Sequence, residues 1–399
     1  MRVFHSLGHV FGGSLLIAGT AVGVGMLAMP VATSAGGFLP SLALYLICWA
    51  FMLCTGLLLA EALLWMPEDT SFISMAEKLL GPPGRIIYWI LYLFLFATVM
   101  VAHAAGGGAV LSDLLGESLP GWLFALIYTG ALAPVVYLGA KSVDRLNMLL
   151  ISGVILFYFG FIAISYSYVD LSLLSPAHWG KAWIALPVLF TAFTYQVILP
   201  TLMNYLNRDI RKVRITIIVG SIIPLVIYLV WELLILGIVP VEGPGGLAEA
   251  ARLGHNAIGP LRQFVQSPYL FVIGKYFAFF ALTTSYIPLA LSFFDFLADG
   301  FHWKKDGMHR FLLCLIVFGI PLIIAILYPH IFLIALGYAG GISCAFLFGF
   351  MPPLLVWIGR YVKQYPKNAY QLPGGKPVLA LLMGCGFLVL VATLVEQLF

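Results

Sequence analysis

Gly19-Thr20-Ala21-Val22-Gly23-Val24-Gly25 interrupts an apolar segment, residues 7–32, that is long enough to cross a bilayer as a helix. Three glycines alternate here with small or β-branched residues, which makes an α-helix costly. The pattern predicts two half-helices joined by an extended stretch. Lipid offers no partner for the freed backbone groups, so such a break is tolerated only where it is buried in protein or lines a cavity. The first span is therefore predicted to contribute to a binding site inside the membrane.

Composition places the whole chain in a membrane. Of its 399 residues, 62% are hydrophobic and only 9% are charged, and the mean hydropathy is +1.05. A water-soluble protein could not bury so much apolar surface. Stretches of about 20 apolar residues predict an all-α polytopic protein with about eleven transmembrane helices. These spans are predicted at residues 7–32, 38–65, 86–111, 122–139, 147–167, 181–206, 213–239, 268–297, 310–328, 331–359 and 377–398.

The basic residues determine the predicted orientation. If the N-terminus is inside, most of the 20 Lys and Arg residues fall in internal segments. Lys181, Arg252 and Arg262 fall in external segments, and Lys275 lies within a span. The positive-inside rule then predicts a cytoplasmic N-terminus and an external C-terminus. The net charge of +4 follows from this asymmetry and gives no reason to expect a nucleic-acid partner.

A second interruption lies in the sixth span, where Phe190-Thr191-Ala192-Phe193-Thr194-Tyr195-Gln196 is followed by Pro200. Five spans separate the two breaks, so the matching segments would face opposite ways in the membrane. This is the arrangement of an inverted repeat that builds one central transport site. The alternative is a kinked helix whose Thr hydroxyls bond to their own backbone. A third polar patch, Thr283-Thr284-Ser285, lies about 15 residues into the eighth span and reaches the same depth.

The chain is therefore expected to form a single transport domain, residues 1–399. The first repeat is predicted at about 7–167, the second at about 181–359, and an extra helix at about 377–398. The first apolar segment is too long for a signal-peptide core and is expected to be retained.

Several motifs together resemble one known family. They are Ala18-Gly19-Thr20 through Gly25-Met26-Leu27-Ala28-Met29-Pro30, Ala104-Ala105-Gly106-Gly107-Gly108, Pro200-Thr201-Leu202, Trp231-Glu232, and Thr284-Ser285 through Phe294-Asp295. They resemble the bacterial hydroxy and aromatic amino acid permeases, and most closely the tyrosine-specific and tryptophan-specific members. Two positions depart from the family. His103 stands where several relatives have Tyr, and Gln196 stands where they commonly have His.

The resemblance implies the leucine-transporter-like fold of the amino acid–polyamine–organocation superfamily, a 5+5 inverted repeat with broken first and sixth helices. It also implies a secondary active transporter in the bacterial cytoplasmic membrane, which imports aromatic amino acids by alternating access. No cofactor and no obligate protein partner is expected beside the substrate and the lipid bilayer.

An amino acid is a zwitterion, so its site must satisfy a carboxylate and an ammonium. The N–H groups of Val24, Gly25 and Met26, at the start of a half-helix, suit the carboxylate. The carbonyls of Thr20, Ala21 and Phe190 are candidates for the ammonium, and glycine at 23 and 25 allows close approach. An aromatic substrate ring is expected among Phe190, Phe193, Tyr195 and the shallow face that includes Gly107. His103 and Gln196 are candidates to bond a phenolic hydroxyl or the carboxylate of the substrate. A bond to the hydroxyl predicts a preference for tyrosine.

Ionisable residues inside a membrane are candidates for ion coupling. They are Glu61, His103, Glu232, Lys275 and Asp295. His103 titrates nearest to physiological pH and is the first proton candidate. Glu61 and Asp295 lie near cytoplasmic span ends, where they are expected to snorkel or cap. Glu232 and Lys275 lie at similar depths in consecutive spans, which predicts an ion pair.

Sodium is the alternative coupling ion. By resemblance, the carbonyls of Gly19, Val22 and Ala281 and the hydroxyls of Thr284 and Ser285 match the sodium site of the leucine-transporter-like fold. A second sodium site is expected to be absent, because Met26 stands where a polar side chain would be required.

Other functions remain open at this point. The cargo can instead be tryptophan, serine or threonine, which other branches of the family carry. A channel would show filter rings or hydrophobic gates in an oligomer. An enzyme is not expected, since the sequence contains no metal-ligand cluster, nucleophile elbow or phosphate loop.

Overall fold

The computed structural model describes residues 2–68, 70–116, 119–265, 267–366 and 370–396, and within these ranges the regular structure is helical throughout. The first part of the chain contains α1 (Arg2–Ala21), α2 (Val24–Thr33), α3 (Phe38–Leu64), α4 (Phe72–Leu80), α5 (Pro82–Leu115), α6 (Gly121–Leu138) and α7 (Ala140–Ser165). Two short 3₁₀ turns follow, Tyr166–Tyr168 and Leu171–Leu174.

The second part of the chain is more often interrupted. Its α-helices are α8 (Trp179–Ala182), α9 (Leu186–Ala192), α10 (Leu199–Tyr205), α11 (Ile210–Ile238), α12 (Leu247–Arg252), α13 (Leu261–Phe264), α14 (Pro268–Phe301), α15 (Gly307–Cys314), α16 (Ile320–Leu327), α17 (Ile331–Tyr338), α18 (Met351–Trp357) and α19 (Gly375–Glu396). The 3₁₀ turns Trp183–Ala185 and Gln196–Ile198 and the π-helical turns Leu315–Gly319, Ala339–Phe350 and Ile358–Val362 lie between them.

The number of membrane spans agrees with the sequence prediction. Among the described residues, 10 helical stretches are long and apolar enough to cross a bilayer, and α1 with α2 forms an eleventh if this pair, bent by 55°, is counted as one span. The predicted third span, 86–111, corresponds to the longer α5, and the predicted end of the last span, residues 397 and 398, lies outside the described ranges.

Burial distinguishes central from peripheral helices. The residues of α2 from Val24 to Val31 are all buried, whereas α7 exposes Leu149, Leu156 and Phe159. A helix that is apolar and buried all round lies inside the bundle, and one with an exposed apolar face borders lipid. The second half of the first broken span, α2, therefore lies at the centre of the molecule, with α9, α11 and α12 packed against it.

The connection between α11 and α14 covers one end of α2. It contains α12 and α13, and the side chains of Leu247, Ile258 and Leu261 are fully buried. The N–H of Ala257 donates to the carbonyl of Leu27 at 3.0 Å. This backbone hydrogen bond ties the connection directly to α2, so the predicted external side of the site is covered.

Candidate functional site

The first helix break is shorter than the sequence predicts. The helix α1 continues to Ala21, and only Val22 and Gly23 separate it from α2. Neither the N–H of Gly23 nor the carbonyl of Val22 has a hydrogen-bond partner among the described residues. Val24 and Gly25 form the first turn of α2, where the helix dipole is positive and N–H groups point out of the helix. The break thus presents N–H donors on one side and a carbonyl acceptor on the other.

The second break follows the predicted pattern more closely. The helix α9 ends at Ala192, and a 3₁₀ turn precedes α10, which has Pro200 in its first turn. Within the described ranges, the carbonyls of Phe193 and Thr194 accept no hydrogen bond. The carbonyl of Phe190, which the sequence analysis selected for an ammonium, instead accepts from the Thr194 hydroxyl at 2.6 Å. The open acceptors therefore lie three and four residues later than predicted.

Gln196 anchors the second break to α3. Its side-chain oxygen accepts from the N–H of Tyr195 at 2.9 Å, and its Nε2 donates to the carbonyl of Met52 at 3.2 Å and lies 3.4 Å from the hydroxyl of Thr55. The Tyr195 hydroxyl also donates to the carbonyl of Met52, at 3.2 Å. Gln196 is fully buried and bonded through both ends of its amide, so the structure gives it a clear role in holding the break.

The two breaks meet at the centre of the bundle. A Cβ added to Gly25 would lie only 2.8 Å from Cα of Ala192, so the two backbones approach as closely as glycine permits. The hydroxyl of Tyr228, on α11, lies 2.6 Å from the carbonyl oxygen of Ala21 and 2.9 Å from that of Ala192. The structure thus brings together both half-helices that the sequence analysis placed in one site.

The helices α14 and α5 border the region where the two breaks meet. A Cβ added to Gly23 would lie 2.8 Å from Cβ of Ser285, so the predicted eighth-span patch borders the first break. The Ser285 hydroxyl lies 2.8 Å from Nε2 of His103, and Nδ1 of His103 lies 2.8 Å from the carbonyl of Val99. A carbonyl only accepts, so Nδ1 carries the hydrogen; in the neutral ring, Nε2 then accepts from Ser285. His103 therefore reaches the first break through Ser285.

The proposed sodium ligands are only partly assembled. The hydroxyl of Thr284 donates to the carbonyl of Ala281 at 3.1 Å, and the Ser285 oxygen lies 3.0 Å from the same carbonyl. The carbonyl of Val22 is open, and the adjacent Gly23 lies against Ser285. Gly19 is exposed on α1. The structure thus brings Val22 and Ser285 together at the first break, and Ala281 and Thr284 lie next to Ser285 on α14.

Aromatic rings line the second break. Phe193 packs edge-on against Tyr45 and Tyr228, with ring centroids 5.9 and 5.2 Å apart, and Phe190 packs against Phe51 at 5.3 Å. The side chains of Phe190, Phe193 and Tyr195 are at most 3% exposed. The predicted aromatic residues therefore form part of a closed wall around the breaks.

The glycine run of α5 packs against other helices. A Cβ added to Gly107 would lie 2.0 Å from the ring of Tyr128, and one added to Gly106 would lie 2.7 Å from the ring of Phe332. Gly108 lies against Ala125 in the same way. Tyr128 thus occupies the face that the sequence analysis expected to be open to a substrate ring. A run of small residues gives close helix contact in membrane proteins, and this is its role at Gly107 in the structure.

The predicted ion pair between Glu232 and Lys275 is wrong. Lys275 lies on a part of α14 that faces α5, and its Nζ donates to the carbonyl of Asp113 at 2.7 Å. The Glu232 carboxyl group is fully buried, with Oε1 2.5 Å from the hydroxyl of Thr33 and Oε2 2.7 Å from that of Tyr45. Similar depth in consecutive spans did not reveal that the two side chains point to different neighbours.

The prediction that Glu61 snorkels or caps is also wrong, because its side chain is fully buried and forms an ion pair with Arg360. Asp295 does lie at an accessible position, where its carboxylate is 2.8 Å from Nζ of Lys305 and its side chain is 48% exposed. Glu61 thus pairs with Arg360 and Asp295 with Lys305, and both partners lie outside the two helix breaks. Of the predicted ion-coupling residues, His103 and Glu232 are therefore nearest in the bonding network to α1 and α2.

Sequence reasoning missed Tyr228, Tyr45 and Thr33, which connect the broken helices to their neighbours. One signal was available, because Tyr228 lies four residues before Glu232. Residues at this spacing share one face of a helix. A polar residue on the same face of α11 as a buried acid marks that face as the inner one.

Comparisons with known proteins give matches along almost the whole chain. The model of the tryptophan/tyrosine permease family matches residues 7–393. The tyrosine-specific transport system 2 of Haemophilus influenzae (strain ATCC 51907 / DSM 11121 / KW20 / Rd) is 33% identical over 383 residues, which cover 94% of this chain and 94% of the relative. The tryptophan-specific transport protein of Pseudomonas aeruginosa (strain UCBPP-PA14) is 30% identical over 384 residues, which cover 94% of this chain and 91% of the relative.

Among solved structures, the crystal structure of MhsT in complex with L-phenylalanine matches with a TM-score of 0.68. The match covers 96% of this chain and 97% of the other at 16% sequence identity. At this identity the likeness shows the fold, which is the leucine-transporter-like fold.

Proposed function

Because the chain belongs to the tryptophan/tyrosine permease family, we propose that it imports aromatic amino acids by alternating access, with tyrosine as its preferred substrate. The family and the fold are those of transporters rather than enzymes. The observation that carries the proposal is the meeting of the two helix breaks, where the backbones of Gly25 and Ala192 are in contact. Donors of α2 and carbonyls of the second break thus lie within one buried region.

A zwitterionic amino acid fits this region at both of its charges. We propose that the carboxylate binds the N–H groups around Gly23, Val24 and Gly25, because the N-terminus of α2 is positive and the Gly23 N–H has no other acceptor among the described residues. The ammonium binds carbonyls at the ends of α1 and α9. The free carbonyl of Phe193 supports a position slightly later in the second break than Phe190.

Tyrosine preference rests on the polar groups beside the aromatic wall. A site that hydrogen-bonds a phenolic hydroxyl rejects the analogue without it, since the buried partner is then left unpaired. His103 and Gln196 are the proposed partners, and a substrate hydroxyl would have to replace one of their present bonds. The name of the Haemophilus influenzae relative supports tyrosine. Tryptophan is the second candidate, because other relatives are named for it.

We propose the proton as the coupling ion, with His103 and Glu232 as the residues that bind it. Glu232 is bonded to two hydroxyls and takes part in none of the ion pairs among the described residues. A buried carboxylate without a cation is costly, whereas the neutral acid can donate to Thr33 and accept from Tyr45. The sodium alternative is supported by the open carbonyl of Val22 beside Ser285.

Uptake of radiolabelled tyrosine into proteoliposomes tests the proposal. We expect saturable accumulation that a pH gradient drives in the absence of sodium, and that excess unlabelled tyrosine inhibits more strongly than phenylalanine, tryptophan or serine. Phenylalanine that competes as well as tyrosine would contradict the hydroxyl preference, and accumulation that requires a sodium gradient would favour the sodium alternative. Flux that does not saturate would indicate a channel.

The orientation is part of the same proposal. We propose that the protein lies in the bacterial cytoplasmic membrane with its N-terminus in the cytoplasm, because the basic residues sort by loop in this way. Single cysteines placed in the connections before α6 and before α15 should differ in labelling by an impermeant maleimide in whole cells. The first connection is predicted to be external and the second internal.

A further inference from the structure

The buried hydroxyl of Tyr228 lies between the two helix breaks. The side chain of Tyr228 is fully buried, and its Oη lies 2.6 Å from the carbonyl oxygen of Ala21 and 2.9 Å from that of Ala192. Ala21 is the last residue of α1, and Ala192 is the last residue of α9. One side chain on a third helix, α11, therefore contacts the ends of both half-helices.

The number of hydrogens limits what this hydroxyl can do. A phenol carries one hydrogen, so only one of the two carbonyls receives it at any moment. Both carbonyls are at C-terminal helix ends, where the dipoles are negative, so their approach is unfavourable without a positive partner. A primary ammonium carries a positive charge and three hydrogens. Such a group would complete the hydrogen bonding that Tyr228 leaves incomplete.

The ring of Tyr228 is held in one position. It packs edge-on against Phe193, with the ring centroids 5.2 Å apart and an interplanar angle of 75°. Phe193 is the residue directly after α9, so the ring contact and the hydroxyl contact both involve the second break. A side chain fixed at its ring and at its hydroxyl sets a distance between the two carbonyls.

We infer that Tyr228 is a positioning residue, which holds the carbonyls of Ala21 and Ala192 at the spacing that binds the ammonium of the substrate. The identity of the ammonium rests on the proposed function. The role of the hydroxyl in holding the two half-helix ends does not rest on it, so the two can be tested separately.

The first experiment needs no substrate. Amide hydrogen exchange is measured on the purified full-length chain, on the Tyr228→Phe variant and on the matched control Tyr158→Phe. The Tyr158 hydroxyl also donates to a backbone carbonyl of α11, that of Ile227 at 3.0 Å, but among the described residues it has no hydrogen bond to either break. We expect Tyr228→Phe to speed exchange in residues 18–26 and 190–198 together and Tyr158→Phe to change neither. Faster exchange in one segment only, or in neither, would overturn the inference.

The second experiment tests selectivity for the ammonium. Competitors for bound radiolabelled tyrosine are unlabelled L-tyrosine, tyramine, which lacks the carboxylate, and 3-(4-hydroxyphenyl)propionate, which lacks the amine. We expect Tyr228→Phe to lower the affinity for L-tyrosine and for tyramine by about tenfold, because one carbonyl–ammonium hydrogen bond is lost when the two carbonyls move apart. The affinity for the amine-free acid should be the same in the variant as in the wild type. Equal weakening of all three competitors would mean a purely structural role and would overturn the inference.

The two experiments separate the possible failures. A wild-type protein that binds no aromatic amino acid contradicts the proposed function, while the exchange experiment still decides whether Tyr228 holds the two helix ends. Normal tyrosine binding in Tyr228→Phe would reject the positioning role and leave the proposed function intact.

Discussion

Glu61 and Arg360 form a buried, bidentate ion pair that joins α3 to the π-helical turn after α18. Nε of Arg360 lies 2.7 Å from Oε1 of Glu61, and Nη2 lies 2.6 Å from Oε2. The same two groups bond to the backbone of Leu372, whose N–H donates to Oε2 and whose carbonyl accepts from Nη2, both at 3.2 Å. The pair therefore fastens the connection between α18 and α19 to α3.

The Glu61→Gln variant should be markedly less stable. Removal of one partner leaves the Arg360 guanidinium buried without a counter-charge, which typically costs about 3–5 kcal/mol. The double variant Glu61→Met with Arg360→Met should recover much of this loss, because no charge is then buried. Thermal unfolding of the detergent-solubilised protein measures both effects.

The surface pair of Glu77 and Arg85 supplies a control for this experiment. Its charged atoms are 3.5 Å apart, and the two side chains are 44% and 56% exposed. Exposed pairs contribute about 0–1 kcal/mol, so Glu77→Gln should unfold close to the wild-type temperature. If Glu61→Gln unfolds at the same temperature as Glu77→Gln, the buried pair does not stabilise the fold as argued.

The Glu232→Gln variant should separate transport from proton coupling. The amide can replace a neutral acid between Thr33 and Tyr45 but cannot release a proton. We expect tyrosine accumulation driven by a pH gradient to fall at least tenfold, while exchange of internal for external tyrosine continues. Glu77→Gln serves as the control and should accumulate tyrosine normally. Wild-type accumulation by Glu232→Gln would exclude Glu232 as a proton carrier.

The fold was predictable because the strongest signals are local. The lengths of the apolar stretches predicted the membrane spans, and the Gly-rich and Thr-rich interruptions located both broken helices. The exact extent of the first break was harder to predict, since α1 continues through Thr20 and Ala21. Neither residue forbids a helix, and the structure needs only Val22 and Gly23 to redirect the chain.

The contacts of the site were less predictable because they join residues far apart in the chain. Tyr228 is 207 positions from Ala21, and nothing in the spacing of either span shows which face meets the other. The glycines around Gly107 illustrate the same limit. A run of small residues favours the close approach of a neighbouring helix or a ligand, but only the structure shows that the group at Gly107 is the ring of Tyr128.

The Gly25→Ala variant should transport tyrosine much more slowly. The added Cβ would lie 2.8 Å from both Cα and Cβ of Ala192, and backbone atoms cannot move aside cheaply. The two breaks would have to separate, so we expect the initial rate of tyrosine uptake to fall by more than about tenfold. Gly130→Ala is the matched control, because nothing lies within 4 Å of its added Cβ. Equal uptake by both variants would contradict the close contact of the breaks.

Acidification should loosen the connection that covers α2. His255 lies in this connection, with its ring centroid 6.2 Å from that of His330. Burial of part of the ring lowers the pKa of His255, the nearby His330 lowers it further, and Glu249 acts in the opposite direction. The docked connection therefore binds a proton less readily than the free chain does. The part of its stability that depends on neutral His255 is complete above the free-chain pKa of about 6.5 and is lost as the pH falls below that value.

Amide exchange of residues 247–261, expressed as protection factors, measures this effect. We expect protection to decrease between about pH 7.5 and about pH 5.5 in the wild type. The decrease should be smaller in His255→Asn, which has no group to protonate at that position. His309→Asn removes a histidine outside the connection, near the start of α15, and should retain the wild-type response. Protection that decreases equally in all three proteins would show that acidification acts through another group, because only His255→Asn removes the proposed site of protonation.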